Sequence, residues 1–145
     1  AQAEIVDGQM CPEGFTDGVA AGPRLLSDGK APPLTNEFAT TPHPRTAFGI
    51  SASRERAWIV TIDGRQAGSK GMSLPDLAAL FASLGAADAI NLDGGGSTTL
   101  VMEDGDGTAK ILNRPVQTGV VGKQRPVANH VLVFIPHAHA SQKQD

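Results

Sequence analysis

Tyrosine is absent from this chain, and tryptophan and cysteine occur once each. The lone thiol, Cys11, excludes a disulfide within the chain and reads as a packed or incidental cysteine. No apolar run approaches the roughly 18 residues that a membrane-spanning helix needs. Charge is sparse as well: charged residues make up 19%, with 15 acids against 12 bases and a net charge of −3. That balance argues against nucleic acid or an anionic membrane surface as the main partner. What the 145 residues do hold is 17 glycines, 10 prolines and 40% hydrophobic residues. This composition describes one loop-rich domain with many tight turns and one modest core.

Apolar spacing divides the chain into short strands and one helix. Pro23 to Pro32 reads as a short strand with a turn at Asp28-Gly29, and the proline-broken "PPLTNEFATTPHP" as an exposed loop. Strands are predicted over Thr46–Ser51 and over "RAWIVTI". In the second, Trp58, Val60 and Ile62 share one face and Ile59 and Thr61 the other, as suits a central strand. Ser73 to Leu84 is the one predicted helix. Ser73 can cap it with Asp76 as its partner, Pro75 is harmless in the first turn, and Gly85 ends it. Leu74, Leu77, Phe81 and Leu84 form its apolar stripe. Ala87–Leu92 is a further strand, Ser97–Leu112 a hairpin, "NRPVQTGVVGKQRP" a long loop, Val127–Ile135 the last strand, and the remainder a polar tail. One helix among about six strands gives an α+β fold with a mixed or antiparallel sheet.

The stretch "INLDGGGSTTLV" runs from a strand into an acid, three glycines and three hydroxyls. Consecutive glycines cost entropy, so they belong where φ is positive or where something approaches the backbone closely. Bare N–H groups there can form an anion-binding nest beside Asp93, with hydroxyls from Ser97, Thr98 and Thr99. The same residues also suit a tight bulge or hairpin. The spacing is not that of a P-loop, and Ser97 lacks a nucleophile elbow.

Other polar residues border strands: Arg45, Asp63, Arg65, Asn113, Arg114, Arg125 and Asn129. Singly, each suits a surface or a turn. Together they supply guanidiniums that match phosphate and carboxylates of the kind used in sugar hydrolysis. Asp104 and Asp106 lack the frame of a calcium loop and read as a hairpin turn. His130 reads as packed or paired, and His137 and His139 belong to the tail. No metal-ligand pattern and no cofactor motif is present.

"HPRTAFGI", "VTIDGRQAGSKGMSLPDLAALFASLGAADAINLDGGGSTTLV", "NRP" and "RPVANHVLVF" together resemble the phosphodiester glycosidase domain family, in order, over Gly18 to Ile135. Domain boundaries follow from it: residues 1–17 as an extension or incomplete start, 18–135 as the domain, 136–145 as the tail. The resemblance implies hydrolysis of a sugar C1–O–phosphate diester, which releases the sugar and leaves a phosphate monoester. It makes Asp93 the first candidate for a catalytic carboxylate and Asp63 the second. Arg45, Gly94, Gly95, Gly96, Ser97, Thr98 and Arg125 become candidates for holding phosphate. Asn129 would contact sugar or position a loop, and Arg65 and Arg114 are left to structural roles. Family members carry further strands and an Asn-Gly-Phe-Phe-like loop upstream of the matched part. A second copy or a partner chain could therefore complete the sheet. A non-catalytic carbohydrate- or phosphate-binding module, or a half-domain awaiting a partner segment, is the competing reading. Bacterial members are mostly exported, so a secreted, periplasmic or cell-surface protein acting on wall or exopolysaccharide material is expected. The small-x-small tripeptide Ala1-Gln2-Ala3 is compatible with that.

Overall fold

The computed structural model describes residues 2–8 and 12–134. Cys11 and the tail histidines His137 and His139 lie outside them. Strands β1 (Arg24–Leu26), β2 (Arg45–Ile50), β3 (Ala57–Ile62) and β4 (Asp88–Asn91) form one antiparallel sheet in the order β1-β4-β2-β3. The expected α+β class is what the chain adopts. One detail is corrected: among the described residues β3, apolar on both faces, is an edge strand, with β2 on one side. Its Trp58, Val60 and Ile62 still pack against the core, while Ile59 on the other face is 39% exposed.

Helix α2 (Leu74–Leu84) covers one face of the sheet. Ser73 Oγ accepts from Asp76 N at 3.2 Å and donates to Asp76 Oδ2 at 2.5 Å, so the first turn closes on itself. At the other end Gly85 takes φ +86. Ala86 N then reaches Phe81 O at 3.0 Å and Gly85 N reaches Ala82 O at 3.0 Å, which completes a Schellman motif. The buried stripe is Leu74, Leu77, Ala78 and Phe81, set against Leu25, Leu26, Ala47 and Ala89 of the sheet. Each large side chain buried there contributes about 1.5–3 kcal/mol. The fit is close at Gly49 of β2: a Cβ there would stand 2.5 Å from the Phe81 ring.

Three further expectations change. The proline-broken segment is not all loop. Asn36 Oδ1 accepts from Ala39 N at 2.8 Å and caps a four-residue helix, α1 (Glu37–Thr40), which buries Ala39. The long loop after Asn113 contains a tight hairpin, β7 (Val116–Gln117) with β8 (Val120–Val121). Thr118 and Gly119 both take positive φ, 52° and 76°, as a two-residue hairpin turn of the right twist demands. The last strand is not formed. Residues 127–134 carry no regular structure, are exposed, and have no neighbouring strand to bond with among the described residues; Ile135 lies outside them.

The hairpin expected within 97–112 is present as β5 (Val101–Glu103) and β6 (Ala109–Ile111), apart from the main sheet and exposed throughout. In its turn Lys110 pairs with Asp104, and Asp106 Oδ1 accepts from Thr108 N at 2.8 Å. Hydrogen bonding, first with Asp104 and then with Thr108, holds the Asp106 carboxyl below its ordinary pKa.

Candidate functional site

Antiparallel pairing decides which residues meet. The start of β2 lies beside the ends of β3 and β4: Arg45 stands opposite Ile62, and Ala47 opposite Asn91. The approach to β2 (His43-Pro44-Arg45), the exit of β3 (Asp63-Gly64-Arg65) and the exit of β4 (Asn91 to Gly96) are therefore brought to one end of the sheet. A cleft of about 500 Å³ opens there. Its polar lining comes from His43, Arg45, Arg65, Asn91, Asp93 and Arg125, with Gly94, Gly95 and Gly96 along one wall.

The three glycines fit where a side chain would not. A Cβ on Gly94 would stand 2.7 Å from Pro44 O, and one on Gly96 would overlap the Gln117 amide oxygen. Gly95 takes φ +59 and donates its N–H to Pro44 O at 2.8 Å. The loop is thus wedged between the β2 approach and the β7–β8 hairpin, and closes as a short 3-10 turn over Gly95–Ser97. Ser97 N bonds to Gly94 O and Thr98 N to Gly95 O. Gly94 and Gly96 keep N–H groups outside these bonds, so the expected nest is at most a small one.

Arg45 is 2% exposed. Its Nε donates to Met72 O at 3.0 Å and its Nη2 to Phe38 O and Thr41 O at 2.9 and 3.0 Å. The guanidinium also lies 4.8 Å from the Phe38 ring centroid. Three carbonyls and a π face, not a carboxylate, hold this buried cation at the cleft floor. Burial, and then the charge of Arg65, lowers its pKa. Arg65 is exposed and sits in the left-handed region at φ 55, with its guanidinium over Gly95. Its Nη2 is 3.4 Å from His43 Nδ1. Burial, followed by the charges of Arg45 and Arg65, depresses the His43 pKa. Arg125 is exposed and passes beside Gly96. Among the described residues, three arginines and one carboxylate, that of exposed Asp93, line the cleft, so it is cationic within an acidic chain.

The remaining candidates lie elsewhere. The Asp63 carboxylate is not part of the cleft lining. It accepts from Arg114 N at 2.9 Å and from Asn113 Nδ2 at 3.1 Å. Asn113 also donates to Thr98 O and accepts from Leu100 N, so the Asp63–Asn113 pair joins β3, the glycine loop and the β5–β6 hairpin. Thr98 is buried, with its hydroxyl 3.4 Å from that of Thr46, and neither it nor Ser97 lines the cleft. Asn129 is exposed on the segment expected to be the last strand and does not reach the cleft either. Sequence reasoning passed over His43 and Asn91 as site residues and left Arg65 to structure. His43 and Arg65 both lay inside stretches singled out as motifs, His43 directly before Pro44-Arg45. Asn91 is 3% exposed; its Nδ2 donates to Gly22 O at 2.8 Å, and its Oδ1 has no hydrogen-bond partner among the described residues.

These features define an α+β protein with a cationic cleft at one end of an antiparallel sheet. A phosphodiester glycosidase family profile matches residues 1–134, and the chain belongs to that family. It is 36% identical over 99 residues to the SPβ prophage-derived uncharacterised protein YomE of Bacillus subtilis, covering 65% of this chain and 15% of that one. Among solved structures it resembles the catalytic domain of zebrafish N-acetylglucosamine-1-phosphodiester α-N-acetylglucosaminidase, auto-inhibited by its pro-peptide. The TM-score is 0.50 at 25% identity, over 63% of this chain and 33% of that one. A Burkholderia pseudomallei exported-protein candidate matches at 41% identity and TM-score 0.47, over 53% and 14%. The chain thus spans a third or less of each of these relatives. No helix among the described residues is long and apolar enough to cross a membrane.

Proposed function

We propose that this chain carries the phosphate-binding and catalytic face of a hydrolase that cleaves sugar C1–O–phosphate diesters. The observation that carries the reading is the convergence of Arg45, Arg65 and Arg125 with the carboxylate-bearing Asp93 at a glycine loop. Guanidiniums hold phosphate oxygens by charge and paired hydrogen bonds. In this reading Arg65 and Arg125 grip the phosphate, Arg45 adds a buried positive field from below, and the free N–H groups of Gly94 and Gly96 complete the cradle. The C1–O bond breaks with its electron pair going to the phosphate oxygen. A phosphate is a good leaving group, so little protonation of that oxygen is needed. Asp93 stabilises the oxocarbenium-like sugar or takes a proton from the water that adds to C1. Asp63, Ser97 and Thr98 act as supports that hold the loop in place, and Asn129 has no role in the reaction.

The family membership and the activity for which the zebrafish enzyme is named support this assignment. Glycans of wall or exopolysaccharide are the substrate class we assign. An exported location goes with it, which fractionation of the producing cells would test. Incubation with an N-acetylglucosamine-α-1-phosphate diester, followed by mass spectrometry of free sugar, tests the chemistry. Sugar release by the parent chain and none by a folded Asp93→Asn variant is the expected result. Undiminished release by that variant would remove Asp93 from the mechanism. Binding of the diester without turnover would favour the binding-module reading.

A further inference from the structure

The contact between Arg65 and His43 constrains a proton. A guanidinium has five N–H donors and no acceptor. At 3.4 Å from Arg65 Nη2, His43 Nδ1 can only be the acceptor. A ring that accepts at Nδ1 is neutral and carries its proton on Nε2. An imidazolium donates from both nitrogens, so it cannot keep this contact. The arrangement is therefore one of two mutually exclusive states: Arg65 tied to a neutral His43, or Arg65 released from a protonated one.

The groups facing His43 favour the first state while the cleft is empty. Arg45 follows it on the approach to β2, and Arg65 comes from the exit of β3. Arg125 comes from the C-terminal segment and Asp93 from the glycine loop, and both line the cleft. Helix α1 contributes the Phe38 ring, with its centroid 6.3 Å away. A dianion seated among the three arginines would reverse the balance. It offers oxygens that Arg65 prefers to a neutral nitrogen, and it cancels the positive field that keeps a proton off the ring.

We propose that His43 is a proton-coupled anion-recognition residue: a phosphate-type dianion entering the cleft draws Arg65 away from Nδ1, and His43 takes up one proton and binds the anion as an imidazolium. This rests on the cleft being the phosphate site of the proposed reaction, and it sharpens what that site selects. A phosphodiester carries a single negative charge, whereas a phosphate monoester carries about −1.5 to −2 near neutral pH. The pair therefore grips the dianionic monoester product more firmly than the diester substrate, and grips a ligand that stays dianionic more firmly as pH falls.

Sulfate is the probe, because it stays dianionic across the range used. Its dissociation constant for the full chain is measured by calorimetry from pH 8.0 to 5.5, in two buffers of different ionisation enthalpy. The expected result is tightening as pH falls, by about tenfold for each pKa unit by which sulfate raises His43, with net proton uptake on binding. In His43→Asn the amide oxygen can still accept from Arg65, but the titration is gone, so sulfate binding should be flat with pH and proton-silent. Ring nitrogen shifts of the parent chain, assigned with that variant, give an independent reading that needs no variant to bind. They should report the Nε2–H tautomer without sulfate and the imidazolium with it at the same pH.

An Nδ1–H tautomer in the sulfate-free protein overturns the proposal. So does sulfate binding that takes up no proton, a pH dependence that survives in His43→Asn, or failure to bind sulfate at all. Diester turnover is followed separately. Turnover with proton-silent sulfate binding sinks the role of His43 alone. Proton-coupled binding without turnover sinks the hydrolase reading and leaves His43 as described.

Discussion

The part of the chain from β1 to Thr98 and the part that follows are built on different terms. In the first, nearly every strand and helix places a side chain against α2, and Leu25, Leu74, Leu77 and Phe81 are fully buried. In the second, β5, β6 and β8 are exposed, with Val101, Met102, Ile111 and Val120 between 42% and 58% exposed. One region is held by burial. The other is held by tethers: Val116 tucked under the glycine loop, and the Asp63–Asn113 hydrogen bonds. Stability resides in the first region, and the cleft draws its walls from both.

Phe81→Ala should break this contrast most sharply. It empties the space between α2 and Gly49 and should cost about 3–5 kcal/mol, read from the urea midpoint. Arg45→Met should come next, at about 2–3 kcal/mol, because three carbonyls lose the charged donor that satisfies them. Arg45→Lys should restore little of it, since one ammonium cannot match the geometry of the fork. Asn113→Ala should cost about 1–2 kcal/mol and raise proteolytic cleavage within residues 99–112 before the core melts. Met102→Ala in the exposed hairpin should change stability by under about 0.5 kcal/mol. A loss as large as that of Phe81→Ala would mean that the hairpin is buried in solution.

The pH dependence of stability is the finest test. The His43 pKa lies below its ordinary 6.5 in the folded protein, so the unfolded chain takes up that proton more readily. Its contribution is complete above pH 6.5 and is lost as pH falls from there toward the folded pKa. The urea midpoint should drop across that window, and His43→Asn should flatten the drop.

The same contrast explains how much could be read in advance. The α2 stripe, its Ser73 cap and its Gly85 stop are local patterns, and burial on the sheet reinforces each of them. Strands β2 and β4 were legible for the same reason. Position in the sheet was not: β3 has the composition of a central strand and sits at the edge, because alternation reports faces and says nothing of neighbours. Helix α1 hid behind flanking prolines, and the β7–β8 turn hid behind a threonine at positive φ, where Asn or Gly is the usual sign. Residues 127–134 had the pattern of a strand without a partner among the described residues to realise it. At the cleft, Asp93, the glycines, Arg45 and Arg125 could be named, because acids, glycines and arginines beside strand ends stand out. His43 and Arg65 owe their place to antiparallel pairing that joins distant segments, and Asn91 looked like one more strand residue.

Strand β3 also bears on solubility. Its six residues, Ala-Trp-Ile-Val-Thr-Ile, contain no charge, proline or glycine, and the side away from β2 has no strand partner among the described residues. Segments of that composition are templates for cross-β stacking when an edge is left open. Arg54, Glu55 and Arg56 stand immediately before it, and Asp63 and Arg65 immediately after it. These flanking charges act as gatekeepers. On the far side, the residues that discourage self-assembly serve the site as well: Asp63 anchors Asn113, and Arg65 lines the cleft.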